Sequence, residues 1–348
     1  MFDISSIVSR ICYLLTVLFN STLIYLTCNH TKEIVGTYRN MLVTFAVIGI
    51  VFSMLDILVR PMFHMYNGCL LFFTLGNSFR FSKTLSEISL LIYCGTYSSI
   101  LGFLTVQFIY RASVLVRPQW TKHFAGWKLG LWVVYAFAMG ILWSLTSTLG
   151  YPDQFAYDYL RAEILEVYGL EVQTVPGYTI LAYNGKMSFE NIRWKCVTQV
   201  VCYSVILLSQ YSIVLYAGIS MYRNIKGNMN TSSSYYERLQ KQFFMTLVYQ
   251  VSAPSLIFHA PAFVVCVAPF FDFRISFHSQ IVVYCFSVYP LVDSLIVLCV
   301  ISEYKHAWKR CVHWLMKDIY ECMGGDTPRP PPSNFSQQAI RLTQLSNS

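Results

Sequence analysis

The stretch LGLWVVYAFAMGILWSLTSTL, residues 129–149, contains no charged side chain and decides the class of fold. A helix needs about 20 mainly apolar residues to cross the hydrocarbon core of a bilayer, and this stretch has that length. Six further runs of similar length and composition occur along the chain. Together they predict an all-α membrane protein, a bundle of seven transmembrane helices at residues 7–28, 40–59, 86–110, 129–149, 197–221, 243–268 and 280–301.

The overall composition supports this interpretation. Of 348 residues, 55% are hydrophobic and 12% are charged, about half the charged fraction of an ordinary soluble domain. A formal charge of +8 could indicate a nucleic-acid partner, but the basic residues are spread over many loops and form no single patch. We therefore expect lipid, and not nucleic acid, to surround most of the chain.

The distribution of basic residues predicts the orientation. Segments 29–39, 111–128, 222–242 and 302–348 lie on one side and hold 16 of the 25 lysines and arginines. Short basic loops stay in the cytosol, so this side is expected inside and the N-terminus outside. Glycosylation triplets begin at Asn20, within a span, and at Asn29, Asn230 and Asn334 on the cytosolic side, so none is expected to carry a glycan.

The long outer loop, residues 150–196, contains signals of its own. Apolar and aromatic residues recur at helical spacing from Tyr159 to Tyr168, and Gly169 can end a helix, so a short amphipathic helix is predicted. Pro176 and Gly177 then favour a segment folded back over the outer mouth of the bundle. An ordinary surface loop is the alternative.

The region after the seventh span divides in two. Basic residues alternate with Trp308 and other apolar residues, which predicts an amphipathic helix on the membrane surface at residues 304–323, outside a receptor domain of residues 1–303. Within that helix, Cys311 and Cys322 are candidates for palmitoylation. Residues 324–348 are rich in Pro, Ser, Gln and Asn, so a disordered cytosolic tail is expected.

The third span ends with Tyr110 and Arg111, and Pro118 and Trp120 follow on the predicted cytosolic side. An arginine there can contact an inserted G-protein helix when the bundle opens, whereas the alternative is a simple positively charged anchor. Pro118 should end the helix and begin a loop that can meet a partner. No acidic residue precedes Arg111, but the Tyr110 hydroxyl could hydrogen-bond to it.

The seventh span carries Pro290 and Asp293 in its inner half. A proline within a helix weakens it locally, which suits a hinge. A carboxylate within the bilayer is costly unless it faces the bundle interior, so Asp293 marks either a function or a polar packing contact. We expect both residues to act in receptor activation.

The resemblance to a known family rests on several short motifs in a fixed order. The motifs are Phe108-Ile109-Tyr110-Arg111, Pro290-Leu291-Val292-Asp293 and Ile301-Ser302-Glu303-Tyr304-Lys305, with Asn20, Gly36-Thr37-Tyr38-Arg39, Pro61, His64, Tyr159-Leu160 and Tyr168-Gly169-Leu170. From the first span to Tyr304 the chain resembles the nematode serpentine chemoreceptors of class r. This is the str-type group, which includes a diacetyl odorant receptor.

The resemblance implies a seven-helix receptor that senses odorants or pheromones in the plasma membrane of ciliated sensory neurons. It also implies coupling to a heterotrimeric G protein. The chain departs from the family pattern at Ser294, where a second proline is expected, and at Lys305, where arginine is usual.

Ligand candidates lie in the outer half of the bundle, which is rich in aromatic residues. They are Tyr93 and Tyr97 on the third span, Tyr203 on the fifth, His259 on the sixth and Tyr284 on the seventh, and for each the alternative is core packing. Because these positions carry little charge, we expect a small ligand that is neutral or weakly polar.

Three further polar positions have simpler interpretations. Asp56 lies four residues before Arg60, so an ion pair within the helix is predicted. Cys69 and Cys196 are the only cysteines in the predicted outer loops, and we expect free thiols in preference to a bridge.

Two other kinds of membrane protein fit this sequence less well. A ligand-gated odorant channel of inverted topology would place the N-terminus inside, against the loop charges. A transporter is expected to show internal repeats, and the two halves of this chain show none. The histidines are scattered over loops and spans, so neither catalysis nor a metal or other cofactor is expected.

Overall fold

A computed structural model of the chain describes residues 2–29, 36–75, 82–228, 235–271, 276–278 and 280–322. Ten α-helices occur in these ranges. They are Phe2–Asn29 (α1), Thr37–Val59 (α2), Lys83–Val116 (α3), Lys128–Ser147 (α4), Gln154–Tyr168 (α5), Trp194–Asn228 (α6), Tyr235–Pro254 (α7), Ala260–Val267 (α8), Gln280–Val300 (α9) and Ser302–Cys322 (α10).

Seven helical segments of the described chain are long and apolar enough to cross a membrane, which confirms the predicted number. Six of them are α1, α2, α3, α4, α6 and α9. The remaining one, sixth in chain order, joins α7 to α8 through a π turn at Ser255–His259. Helices α3 and α6 are longer than the predicted spans. Hydropathy marks only the part of a helix that lies in lipid, whereas backbone hydrogen bonding continues beyond it.

Four short strands form an antiparallel sheet that the sequence analysis did not predict. They are Pro61–Tyr66 (β1), Cys69–Thr74 (β2), Gly177–Leu181 (β3) and Ser276–His278 (β4), in the order β3-β2-β1-β4. Strands β1 and β2 form a hairpin whose turn residues, Asn67 and Gly68, have φ values of 40° and 82°. We call this end of the bundle the sheet end and the opposite end, which contains Arg111, the arginine end.

The predicted helix in the long loop is confirmed as α5. Asp153 caps its first turn by accepting a hydrogen bond from the Ala156 amide at 3.0 Å, and Gly169 ends it with a φ of 67°. Leu160 and Ile164 bury one face of α5 against the sheet. The predicted folded-back segment is also observed, because Gly177 begins β3 and the strand pairs with β2.

Helices α3 and α4 approach each other closely through small residues. A Cβ atom added at Gly95 would lie 3.0 Å from the Gly140 carbonyl oxygen, and one added at Gly102 would lie 3.1 Å from the Ala136 Cα atom. Small residues let two membrane helices gain van der Waals contact along their backbones. This contact fixes α4 against α3, which also packs against α2 and α6.

The chain forms two compact units, Met1–Tyr304 and a second that begins at Lys305. Helix α10 covers most of the range predicted for the amphipathic helix. Its binding to the membrane surface and the palmitoylation of Cys311 and Cys322 stay predictions. The predicted disordered tail lies outside the described residues.

Candidate functional site

A cavity of about 100 Å³ lies within the bundle near the sheet end. Its walls come from α3, α4, α6, α8 and α9, and residues of β1, β2 and β3 also line it. The lining is mostly apolar and aromatic. It consists of Phe63, Leu70, Phe72, Tyr93, Cys94, Tyr97, Trp143, Ser147, Tyr178, Thr179, Ile180, Gln199, Tyr203, Ala262, Val265, Cys266, Val282 and Phe286.

Three of the five ligand candidates line this cavity, namely Tyr93, Tyr97 and Tyr203. His259 lies behind the wall. Its ring centroid is 5.2 Å from that of Tyr97, and its Nδ1 atom is 2.8 Å from the Tyr211 hydroxyl oxygen. His259 is not among the residues that line the cavity, and its role in binding stays a prediction.

Tyr284 is not among the residues that line this cavity, and its role in ligand binding stays a prediction. Helix α9 lines the cavity with Val282 and Phe286, which lie about one turn apart on the same face. Tyr284 lies midway between them in sequence, so its side chain leaves the helix on another face. Sequence position placed it at the correct depth but could not give the rotation of the helix.

Several wall residues were missed by the sequence analysis. Phe63, Phe72 and Tyr178 belong to the unpredicted sheet. Trp143 of α4 stacks on Tyr203 with ring centroids 4.2 Å apart and an interplanar angle of 19°. Aromatic residues are common in all seven spans, so composition alone gives no signal that selects these.

A chain of hydrogen bonds crosses one wall of the cavity. The Ser147 hydroxyl lies 2.9 Å from the Trp143 carbonyl oxygen and 2.7 Å from the Tyr203 hydroxyl oxygen. The Gln199 Nε2 atom donates to the Tyr203 oxygen at 3.2 Å. Gln199 is buried, and its Oε1 atom has no hydrogen-bond partner in the described part of the chain.

Asp56 has partners other than the predicted one. Its carboxylate is buried and accepts hydrogen bonds from the Tyr93 hydroxyl at 3.0 Å and from the Ser287 hydroxyl at 2.5 Å. Arg60 instead donates its backbone N–H to the Asp56 carbonyl oxygen as α2 ends. The expected ion pair is therefore replaced by a polar contact that joins α2, α3 and α9.

Arg111 is buried at the arginine end, with 4% of its surface exposed. Its guanidinium carbon lies 3.3 Å from the ring centroid of Tyr38 and 3.9 Å from that of Phe243. The Nη1 atom donates to the Gln240 side chain at 3.4 Å, whereas Nε and Nη2 have no partner among the described residues. We call Tyr38, Phe243 and Gln240 the arginine clamp.

The clamp gives Arg111 an environment unlike that of a charged anchor at the membrane surface. Two aromatic faces stabilise the cation by cation–π attraction, which is stronger where water is excluded. Tyr110 contributes indirectly, since its ring is parallel to that of Tyr38 with centroids 6.3 Å apart. Unused donors in a buried guanidinium suit a group that acquires further partners in another state.

The chain after Arg111 has the predicted break. Helix α3 ends at Val116, and Pro118 begins a short 3₁₀ helix, Pro118–Phe124. Trp120 is about half exposed, and the Arg117 guanidinium lies 5.0 Å from its ring centroid. An exposed aromatic residue at this position could contact a partner protein.

Pro290 and Asp293 lie in the same half of the bundle as the clamp. Asp293 is buried and accepts a hydrogen bond from Gln250 of α7 at 3.1 Å, and Asn20 of α1 donates to the Pro290 carbonyl oxygen at 3.5 Å. Helix α9 continues through Pro290 to Val300. These contacts connect α9 to α1 and α7, and a role in activation stays a prediction.

A buried histidine holds the sheet to α5. His64 of β1 places Nε2 3.0 Å from a Glu163 carboxylate oxygen and Nδ1 3.1 Å from the Tyr168 hydroxyl oxygen. Ser276 of β4 donates to the same Glu163 oxygen at 2.5 Å. Burial lowers the pKa of His64, although the hydrogen bond and charge of Glu163 oppose the shift. The neighbouring residue Phe63 points the other way and lines the cavity.

This pKa shift predicts a stability change in acid. Because its pKa is lowered on folding, His64 binds fewer protons in the folded protein than in the unfolded chain. Its contribution to the free energy of unfolding is therefore complete above about pH 6.5 and is lost as the pH falls below that value. We expect the thermal midpoint of the wild type to drop more steeply between about pH 7 and pH 5 than that of His64→Gln. Equal slopes in calorimetry of the two receptors would contradict this role, and His123→Gln, at an exposed site, is the control.

Metal binding receives no support from the described residues, because no group of three or more His, Cys, Asp or Glu side chains could hold an ion there. Cys69 and Cys196 are both buried free thiols, as predicted.

The geometry defines a class of protein. In the described part of the chain, seven membrane segments form a bundle. Five of them and the sheet line a cavity near one end, and a buried arginine lies near the other. This is the fold of squid rhodopsin, whose crystal structure matches with a TM-score of 0.59 and 12% sequence identity over 94% of this chain and 92% of that chain. The chain is a multi-pass membrane protein with the fold of G-protein-coupled receptors.

The family follows from sequence comparison. The model for the serpentine type 7TM GPCR chemoreceptor Str matches residues 5–309. The G-protein coupled receptor str-33 of Caenorhabditis elegans is 38% identical over 309 residues, which cover 88% of this chain and 90% of that protein. Serpentine receptor class r-10 of the same organism is 25% identical over 84% of this chain and 86% of its own length. The chain belongs to the Str family of nematode serpentine chemoreceptors, a receptor family and not an enzyme family.

Proposed function

We propose that this receptor binds a small, neutral odorant or pheromone in the cavity and activates a heterotrimeric G protein at the arginine end. The cavity carries the proposal. An engineered protein cavity of about 150 Å³ binds benzene, so a cavity of about 100 Å³ suits a volatile molecule or a short-chain signal. Its mostly apolar lining favours a ligand without charge. The plasma membrane of a sensory cilium is the proposed location.

The proposed activation depends on the sixth membrane span, α7 with α8. Its α8 part lines the cavity with Ala262, Val265 and Cys266, whereas its α7 part supplies Gln240 and Phe243 to the arginine clamp. Between them lies the π turn after Pro254, and such turns often mark functional bends. A ligand that displaces α8 would move α7 through this turn and release Arg111.

We propose that the sheet end is extracellular and the arginine end cytosolic. The excess of lysine and arginine in the loops at the arginine end supports this orientation. It disfavours the odorant channel of inverted topology, in which Arg111 would face outward and could not meet a G protein.

Surface labelling tests the orientation. An epitope fused to the N-terminus is expected to bind antibody on intact cells, and glycosidase treatment is expected to leave the mass of the receptor unchanged. An epitope fused to the C-terminus is the control and should bind only after permeabilisation. A mass shift, or an N-terminal epitope hidden until permeabilisation, would contradict the proposed orientation.

A cavity-filling substitution tests ligand binding. Ala262→Phe places a ring in the cavity and is expected to raise the odorant concentration for half-maximal response at least about tenfold. The measurement is calcium imaging of cells that co-express the receptor and a G protein and are screened with a panel of volatiles. Val264→Phe adds a similar bulk two residues along the same helix at an exposed position, so it should respond like the wild type. An unchanged response in Ala262→Phe at equal surface expression would place the ligand elsewhere.

A further inference from the structure

One hydrogen-bond acceptor in the polar wall of the cavity has no donor. In the series of hydrogen bonds that joins Trp143 to Gln199, the Ser147 hydroxyl donates to the Trp143 carbonyl oxygen. The Tyr203 hydroxyl then donates to the Ser147 oxygen. The Gln199 amide donates to the remaining lone pair of Tyr203. Within this chain of hydrogen bonds, Gln199 Oε1 is the polar atom that has no partner at all, and Nε2 uses one of its two N–H groups.

The unpaired oxygen belongs to a residue that lines the cavity where ligand is expected. Gln199 has 2% of its surface exposed, lines the cavity, and its Oε1 atom has no partner among the described residues. Buried acceptors are rarely left without a donor, because the energy lost on leaving water is then not recovered. A donor group on a bound ligand would supply the missing hydrogen bond.

The backbone holds the amide in place. A Cβ atom at Gly150 would lie 2.9 Å from Gln199 Nε2 and 3.1 Å from Oε1, so the amide packs directly against this glycine. On the other side, the stack of Trp143 on Tyr203 fixes the ring that accepts from Nε2. The open oxygen thus belongs to a rigid surface, and rigid polar groups discriminate well between ligands.

From this geometry we infer that Gln199 is a specificity-determining residue that selects ligands carrying a hydroxyl group. This inference rests on the proposed function of the cavity. A hydroxyl donates to Oε1 while its hydrocarbon part occupies the aromatic remainder of the cavity. A ketone or ester of the same skeleton offers only acceptors and would leave Oε1 unpaired. The ligand class is therefore a small alcohol or phenol.

Direct binding to the purified receptor tests this inference without any signalling step. Cyclopentanol, cyclopentanone and methylcyclopentane share one ring size and are similar in bulk to benzene. In isothermal titration of the full-length receptor in lipid nanodiscs, we expect cyclopentanol to bind about tenfold more tightly than cyclopentanone. Gln199→Met, which keeps the length of the side chain but removes the amide, should abolish that preference.

A matched control is available on the same helix. Gln210 is also buried in α6 with both amide atoms unpartnered among the described residues, but it does not line the cavity. Gln210→Met should therefore keep the tenfold preference. Equal affinity of wild type for the alcohol and the ketone, or a preference that survives Gln199→Met, would overturn the inference alone. Binding of none of the three compounds would overturn the cavity as ligand site and the inference with it.

Discussion

Substitution of Arg111 by alanine is expected to eliminate G-protein activation while leaving ligand binding intact. Arginines at the centre of protein interfaces often contribute 2 kcal/mol or more, so the G-protein concentration needed for half-maximal exchange should rise at least about thirtyfold. The cavity residues lie toward the opposite end of α3 from Arg111, as Tyr93 and Tyr97 show. Ligand affinity measured by titration should therefore change less than about threefold.

Arg117→Ala is the matched control for this experiment. Arg117 lies six residues further along the chain, is exposed and contacts Trp120. Loss of an exposed charge usually has a small effect, so this variant should activate the G protein to within a few-fold of wild type. Normal activation by Arg111→Ala would show that Arg111 is a structural residue within the clamp and not the coupling residue.

Alanine at Gly140 is expected to have the largest effect on stability. Its Cβ atom would meet the Gly95 carbonyl oxygen and the Ser99 hydroxyl oxygen closer than van der Waals contact allows. The Gly95 oxygen belongs to the backbone of α3 and cannot rotate away, so α4 must shift as a whole. Overpacking of this kind costs about 1–3 kcal/mol, and here the upper value is expected.

Thermal unfolding of purified variants measures this effect, and Gly130→Ala controls for helix propensity. Gly130 lies on the same helix and a Cβ atom there would meet nothing within 4 Å. Alanine should therefore leave the receptor as stable as wild type or slightly more stable, because glycine is the weaker helix former. Equal midpoints for the two variants would refute the close contact of α3 with α4.

The seven spans were predictable because each is a continuous run of apolar residues, and the bilayer requires such runs whatever surrounds them. The helix α5 was predictable for a similar reason, since its buried face recurs at helical spacing before Gly169. In both cases the signal is local and survives without knowledge of the neighbouring elements.

The hairpin β1–β2 also has a local signal, which hydropathy analysis passes over. Asn67 and Gly68 separate two apolar stretches by two residues, the strongest short-range indication of a β-hairpin. Both stretches are far shorter than an apolar run of membrane length, so hydropathy leaves them within a predicted loop. As a consequence, the residues that line the cavity from the sheet, such as Phe63 and Phe72, were not among the candidates.

The remaining differences arise from contacts between helices. Asp56 was assigned to Arg60 on spacing, but its partners Tyr93 and Ser287 lie 37 and 231 residues away in sequence. The arginine clamp likewise joins α2, α3 and α7, and the rotation of each helix about its axis decides which side chains meet. Local periodicity cannot determine these rotations when a span is apolar on all sides.

Ligand-stimulated nucleotide exchange on a purified heterotrimeric G protein is the most direct test of the receptor mechanism. The receptor in nanodiscs is combined with the G protein and with the volatile that gives the strongest response in cells. We predict that the volatile accelerates exchange by the wild-type receptor and that neither Ala262→Phe nor Arg111→Ala supports this acceleration. Exchange that is independent of the volatile, or a cellular response that persists when the G protein is absent, would contradict the account.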